Sequence, residues 1–323
     1  MEQKNVPPSH YFAYPPEASA IADDEIDLRE LFGALWKGKW IIILTTMVFA
    51  IGAVLYALNL PNIYKSDALL APAASSGGGG LAKMAGQLGG LAALAGVNLG
   101  AGESSQTDLA VQVMQSRRFI EAFINKHDLL VPLMAVKEWD LANNTLIINE
   151  EIYNPSTGEW LREAAGLRGA KPSAQEAFEV FKKEVISVTQ NKESGLYTVS
   201  VKHYSPYIAQ QWVNWLIEDI NKVMRERTIA EASQNLAYLE AQLQKTAVAD
   251  MQATFYKLIE DQTKSLMLAE VQEEFIFKVI DPAIVPELKD SPKRALICVL
   301  GTLLGGMLGI AIVLVRFVFR KEE

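Results

Sequence analysis

Two uncharged apolar runs lie near the ends of this 323-residue chain and constrain it more than anything between them. Residues 41–60 read IIILTTMVFAIGAVLYALNL, and residues 295–315 read ALICVLGTLLGGMLGIAIVLV. A helix needs about 20 predominantly apolar residues to cross a bilayer, so each run is long enough to span. Two spans place both termini on one side and residues 61–294 on the other. The sequence therefore predicts a large extramembrane domain tethered to one membrane at both ends.

Orientation follows the basic residues close to the spans. Lys37, Lys39, Arg316, Arg320 and Lys321 flank them on the terminal side; Lys65, Lys289, Lys293 and Arg294 flank them on the domain side. This small bias predicts cytoplasmic termini and a domain outside the inner membrane. A cleaved signal peptide fits poorly, because the first run is longer than a signal h-region and begins only at residue 41. The lone cysteine, Cys298, lies inside the second run, so no disulfide supports the outer domain. The formal charge of −8 disfavours a nucleic-acid surface.

Residues 1–26 hold four prolines and no periodicity, which predicts a disordered cytoplasmic tail. Over 27–39, Leu28, Leu31, Phe32, Leu35 and Trp36 share a helical face, and Asp27 with Glu30 resembles a capping pair. Trp36 and Trp40 beside Lys37 and Lys39 suit a headgroup-level anchor, so a short interfacial helix is expected before the span of 40–60; the alternative is a plain continuation of that span. After it, IYKSDALLAP reads as a strand closed by Pro72. Residues 73–105 are Gly/Ala-rich and predict a loop, the stretch 77–102 above all. That stretch is not a phosphate loop, because Ala82 stands where glycine must precede the lysine and Met84 replaces the Ser/Thr.

Residues 107–128 resume helical spacing through Ala110, Val113, Arg117, Ile120 and Ile124. Ser173 and Glu176 form a capping box. VISVTQ and LYTVSV around NKESG predict a hairpin with Tyr197, Val199 and Val201 on one face, and Phe275, Phe277 and Val279 alternate in a further strand. Residues 205–274 contain no glycine and one proline, Pro206, at the first turn, where proline is tolerated. Their apolar stripe predicts a long helical segment. One straight helix of that length would run about 105 Å, whereas the strands on either side should share one sheet. The segment must therefore go up and return, with a break near 245–250. The fold class is α+β: two transmembrane helices flanking a domain with a membrane-proximal α/β base and a long helical hairpin.

His10, His127 and His203 are isolated in sequence, no nucleophile elbow occurs, and adjacent carboxylates such as Glu150–Glu151 read as solvated, so neither a metal site, a cofactor nor a catalytic role is expected. Gly301, Gly305 and Gly309, spaced at four, form a small-xxx-small face for packing against the first span. The stripe with Trp212, Trp215, Leu239, Leu243 and Phe255 exceeds what one hairpin can cover and predicts an oligomer interface.

Three segments carry a resemblance: IDLRELFGALWKGKW, YKSDALLAP, and VIDPAIVPELKDSPKRALICVLGTLLGGMLGIAIVLVRF. They resemble the Wzz chain-length determinant family of bacterial polysaccharide co-polymerases over roughly half the chain, residues 73–190 carrying little of it. The approach to the second span is the specific signature, through Pro282, Pro286, Pro292, Lys293 and Arg294; Lys289 stands where many members have another proline. Only eight residues, 316–323, follow the second span, so a cytoplasmic tyrosine-kinase domain like that of related proteins is not expected. The resemblance implies a homo-oligomeric ring in the inner membrane with its domains in the periplasm. It also implies work alongside a Wzy-type polymerase, control of the modal length of O-antigen or a related lipid-linked glycan, and no catalysis of its own. The alternative is a two-span sensor or adaptor with a ligand-binding outer domain, which the short cytoplasmic parts disfavour.

Overall fold

A computed structural model describes residues 28–73, 102–246 and 248–321. The chain divides into two units, residues 1–57 with 295–323 and residues 58–294. In the first, α1 (Leu28–Lys37) and α2 (Lys39–Asn59) are separate helices meeting at Gly38, and α9 (Arg294–Lys321) lies against α2. Along their apolar stretches α2 and α9 are only 6% and 17% buried, unlike the core helix of a soluble protein. Leu44, Met47, Val48, Leu55, Val299, Leu303 and Met307 stand outward, the surface a helix pair presents to lipid. The polar side chains turn back on their own helix, as suits an apolar surrounding: Thr45 donates to the Ile41 and Ile42 carbonyls, Thr46 to Ile42, and Thr302 to Cys298.

The second unit is built on one antiparallel sheet of order β6-β7-β1-β8. These strands are β1 (Tyr64–Pro72), β6 (Ile186–Gln190), β7 (Tyr197–His203) and β8 (Phe277–Asp281). β1 runs between β7 and β8, with Tyr64 opposite His203 at one end and Pro72 opposite Phe277 at the other. The expected hairpin is β6–β7, closed by a turn in which Gly195 takes φ +70°. Alternation places Ser66, Ala68 and Leu70 of β1 and Tyr197, Val199 and Val201 of β7 on the buried face.

That face is covered by α7 (Pro206–Lys245), which starts with Ser205 as N-cap and Pro206 in its first turn. From Ala209 to Met224 it buries Trp212, Val213, Leu216, Ile217 and Ile220 on the sheet; beyond Met224 only Ala232 is buried. The upper part of α7 then pairs with α8 (Ala249–Val271) as an antiparallel hairpin. α7 ends at Lys245 and α8 begins at Ala249, within the expected stretch, and both capping residues, Thr246 and Val248, are extended. The strands before and after the segment, β7 and β8, belong to one sheet with β1 between them. Asn221 of α7 fastens the return: its amide donates to the Phe277 carbonyl at 3.0 Å and accepts from the Ile276 and Phe277 N–H groups at 2.9 Å each.

Helices α3 (Gly102–Met114), α4 (Arg117–Lys126) and α5 (Leu130–Met134) complete the core with α6 (Ala174–Val180) and the π turn after it. The single helix expected over 107–128 is two, because Ser116 is extended and caps α4 through Phe119 N–H. The Gly/Ala-rich loop of 73–105 ends sooner than expected, since α3 already begins at Gly102; residues 74–101, the disordered tail and the Asp27 cap lie outside the described residues. The Ser173–Glu176 capping box is complete in both directions. Two small hairpins stand apart from the main sheet: β2 (Val136–Asp140) with β3 (Thr145–Ile148), and β4 (Tyr153–Asn154) with β5 (Glu159–Trp160).

Candidate functional site: a helix seam and a latch

The seam between α2 and α9 is made of absent side chains. A Cβ added to Gly305 would stand 2.6 Å from Phe49 Cβ and 3.1 Å from Thr46 Cα. One added to Gly309 would stand 2.9 Å from Ile42 Cα, and one at Gly301 would collide with Ala53 Cβ. The backbones therefore meet at three successive turns of α9, the close approach that small residues at spacing four permit. Gly38 continues the line, its missing Cβ only 2.5 Å from both methyl carbons of Val313. Sequence reading passed over Gly38 because it interrupts the apolar stripe of α1 and falls outside the four-residue register.

The latch lies in the second unit, where the chain segments leading to and from the apolar helices run side by side. Ile63 N–H donates to the Ser291 carbonyl at 2.9 Å, and Asp290 N–H donates to the Ile63 carbonyl at 2.9 Å. Arg294 donates to the Leu60 carbonyl at 3.3 Å and to Asn62 Oδ1 at 3.2 Å, and Lys289 reaches the same oxygen at 3.2 Å. Lys202 and Asp290 pair at 2.8 Å. Pro282, Pro286 and Pro292 keep this stretch out of the β ladder, so neighbouring side chains satisfy its carbonyls: Ser66 donates to Ile284 at 2.7 Å and Gln210 to Ala283 at 2.9 Å. Lys293 is exposed, and Arg294 Nε is buried without a partner among the described residues. Lys289, the departure from the proline pattern, thus acts as a latch donor.

The proposed interface stripe needs correction. Trp212 is 1% exposed and belongs to the core, where its ring meets Phe181 and His203. Trp215 is half-buried, stacked on His127 at 4.2 Å. Leu239, Leu243 and Phe255 are half-buried residues of the hairpin, while Tyr256, Met267 and Val271 of α8 face outward. A stripe read at helical spacing does not distinguish a helix that covers a sheet from one that meets a neighbour; here the lower half of α7 does the former.

Two histidines isolated in sequence have partners in space. His127 contacts Asp219 Oδ2 at 2.9 Å, and Lys126 donates to Asp219 Oδ1, so the nearly buried carboxylate ties α4 to α7. His203 is held by two neighbours: its Nε2 contacts the Pro132 carbonyl at 3.0 Å, and Ser205 N–H reaches its Nδ1 at 3.0 Å. A carbonyl at one nitrogen and an N–H at the other specify a neutral ring protonated on Nε2. Burial lowers its pKa to about 4. In α6, hydrogen bonds from Arg162 and then from the Ser173 N–H hold the Glu176 carboxyl below its usual range. Burial, with the Asp108 carboxylate next, pushes the Tyr197 phenol up. Among the described residues, no three His, Cys, Asp or Glu side chains stand close enough to share a metal ion.

The Wzz family model, chain length determinant protein, matches residues 24–127, and GNVR, a G-rich domain associated with tyrosine kinases, matches residues 241–318. The first spans α1 through α4; the second takes in the hairpin's α8, the latch and the glycine seam. No curated protein matches the chain. Among solved structures, a full-length bacterial polysaccharide co-polymerase aligns over 91% of this chain and 99% of its own, at 16% identity and a TM-score of 0.38. A fragment of WzzB, a polysaccharide co-polymerase from Salmonella Typhimurium, aligns over 71% of this chain and 100% of its own, at 12% identity and a TM-score of 0.30.

Proposed function

This chain belongs to the Wzz chain-length determinant family, and we propose from that membership that it sets the modal length of O-antigen, or a related lipid-linked surface glycan, made by a Wzy-type polymerase. The observation that carries the reading is the pairing of seam and latch. The two apolar helices meet along glycines, and the segments that join them to the sheet are bonded to each other through Asn62, Ile63, Asp290 and Arg294. Such a device keeps the domain's two tethers side by side, in keeping with a scaffold rather than a catalyst. The termini are then cytoplasmic and the domain periplasmic.

Repetition of one side-to-side contact by subunits that all stand upright in one membrane closes a ring around the membrane normal. The outward apolar residues of α8, Tyr256, Met267 and Val271, offer a surface for that contact. Polymer length follows from how the ring arranges the polymerase and its lipid-linked product. The test is a silver-stained gel of lipopolysaccharide from a strain lacking the protein. Loss of the modal cluster of bands, with polymer still made, is the expected result; an unchanged ladder in every surface glycan examined defeats the reading.

A further inference from the structure

The β2–β3 hairpin lies between the stretches that the two family models match, and it carries an apolar tip. Leu141, in its turn, is 76% exposed. The turn's own polar groups are spent on each other. Asp140 accepts from the Ala142 N–H at 2.9 Å and from the Asn143 amide at 2.6 Å, and Asn144 accepts from the Trp139 indole N–H at 3.0 Å. Two residues from Leu141, the Trp139 ring meets Tyr64 at 5.6 Å and Tyr207 at 6.1 Å, both edge-on. Tyr207 is half exposed, and neither phenol has a hydrogen-bond partner among the described residues.

The cluster lies at the end of the sheet where the chain joins the apolar helices. Tyr64 is the first residue of β1, paired with His203, the last of β7, and Tyr207 lies in the first turn of α7. That end of the sheet is also the latch end, where Ile63 pairs with Ser291. Only four residues separate Asn59 from Tyr64, so the Tyr64 backbone, at one side of the cluster, is tethered within roughly 17 Å of the apolar helix's last residue. Leu288, two residues before Asp290 in the latch, is 84% exposed on the same tether. Clustered rings with apolar bodies, two of them with free phenols, next in the chain to the exposed Leu141 and Lys137, are the composition of a membrane-interface contact.

We propose that the β2–β3 tip is a foot that rests on the lipid headgroups beside the spans, with Leu141 inserted and Trp139, Tyr64 and Tyr207 at headgroup depth. A glycan platform would use the same rings, but it also needs free polar groups for sugar hydroxyls, and Asp140, Asn143 and Asn144 are already engaged in the turn. The foot rests on α2 and α9 being membrane spans and is independent of any role in glycan length.

The test uses the full chain in lipid nanodiscs containing phosphatidylcholine with a nitroxide near the headgroup. Three single-cysteine proteins carry an environment-sensitive fluorophore: the native chain at Cys298, and Leu141→Cys and Ser194→Cys in a Cys298→Ala background. Ser194 lies in the β6–β7 turn, at the opposite end of the sheet. Leu141 is exposed at a turn tip, so its replacement leaves the fold intact. The expected result is blue-shifted emission and loss of roughly half the intensity at 141, as at 298, with no loss at 194. Quenching at 298 but not at 141 overturns the foot while leaving the spans standing. Absence of quenching at 298 overturns the spans and the foot together. An unquenched label at 141 whose emission shifts on adding lipid-free O-polysaccharide overturns the foot in favour of a sugar platform.

Discussion

The two units of this molecule bring helices together by opposite means. In the α2–α9 pair, contact comes from side chains that are missing, at Gly38, Gly301, Gly305 and Gly309. In the sheet-bearing unit it comes from large ones, with Trp212, Phe123, Phe181 and Phe277 almost wholly buried between α7, α4 and β8. The solvent explains the difference. Water drives large apolar groups out of its way at about 25 cal/mol per Å², so a water-facing unit gains by burying aromatics. Lipid is as apolar as leucine, and helices within it gain chiefly by backbone proximity and van der Waals contact. The first unit should therefore be intolerant of added volume and the second of lost hydrogen bonds or lost volume.

Adding volume to the seam is the sharpest test and has the largest expected effect. Gly305→Leu places three further carbons beyond a Cβ already 2.6 Å from Phe49, so the helices must separate, at a cost above the roughly 1–3 kcal/mol of ordinary overpacking. The variant should remain in the membrane fraction but lose cysteine crosslinking between α2 and α9 and lose the modal glycan band. Gly306→Ala, whose Cβ would sit 3.7 Å from Thr46 Oγ1, should do neither. Normal crosslinking in Gly305→Leu would mean that the seam is not a packing contact.

Removing polar contacts should hurt the other unit. Asn221→Leu nearly conserves volume but leaves the Ile276 and Phe277 N–H groups without their acceptor and the Phe277 carbonyl without its donor, in a buried place. At about 1–3 kcal/mol for each of the three buried groups left unsatisfied, a loss of roughly 3 kcal/mol or more is expected in chemical unfolding of the reconstituted protein, followed by tryptophan fluorescence. A loss below roughly 1 kcal/mol would show that β8 is held by its ladder to β1 alone.

His203 supplies a pH-dependent version of the same test. Its native pKa of about 4 lies below the ordinary 6.5, so between those values the unfolded chain binds a proton that the native chain refuses. Stability from this residue is therefore complete above pH 6.5, falls as pH drops, and levels below about 4, the full difference being roughly 3 kcal/mol. His203→Gln should flatten the unfolding free energy over that window. An unchanged slope would place the acid sensitivity elsewhere.

Local signals were legible in the sequence where one physical cause decides the conformation. The capping box at Ser173 and Glu176, the β6–β7 hairpin and the strand closed by Pro72 follow from neighbouring residues, and the break after Lys245 from the single demand that the strands on either side share one sheet. The register of glycines in α9 was legible because spacing of four needs no knowledge of the partner. What a stripe packs against was not legible. Trp212 looks the same on a helix wheel whether a sheet or a second subunit covers it, and only the course of β1 between β7 and β8 settles that it is core. The Asp219 contacts with His127 and Lys126 were hidden for the same reason, being separated by more than ninety residues.

The smallest expected effect falls on the part that was most legible. Ser173→Ala removes the side-chain acceptor for Glu176 N–H but leaves the Ser173 N–H bonded to Glu176 Oε2 at 2.9 Å, and Glu176 keeps Arg162 and Arg168. The cap is exposed, so water can replace the lost bond, and the loss should be about 1 kcal/mol. Glu176→Gln keeps the geometry while weakening the charge that both arginines share. Because the carboxyl pKa is lowered in the folded state, chiefly by Arg162, its contribution is present above the unfolded carboxyl value and lost as pH falls through the folded one. Ser173→Ala should thus lower stability equally at neutral pH and at a pH below the range in which the folded carboxyl titrates, whereas Glu176→Gln should lower it at the first and not at the second. Unfolding curves at two pH values separate them, and a parallel loss in both variants would mean that the box acts through geometry and that the two arginines add nothing.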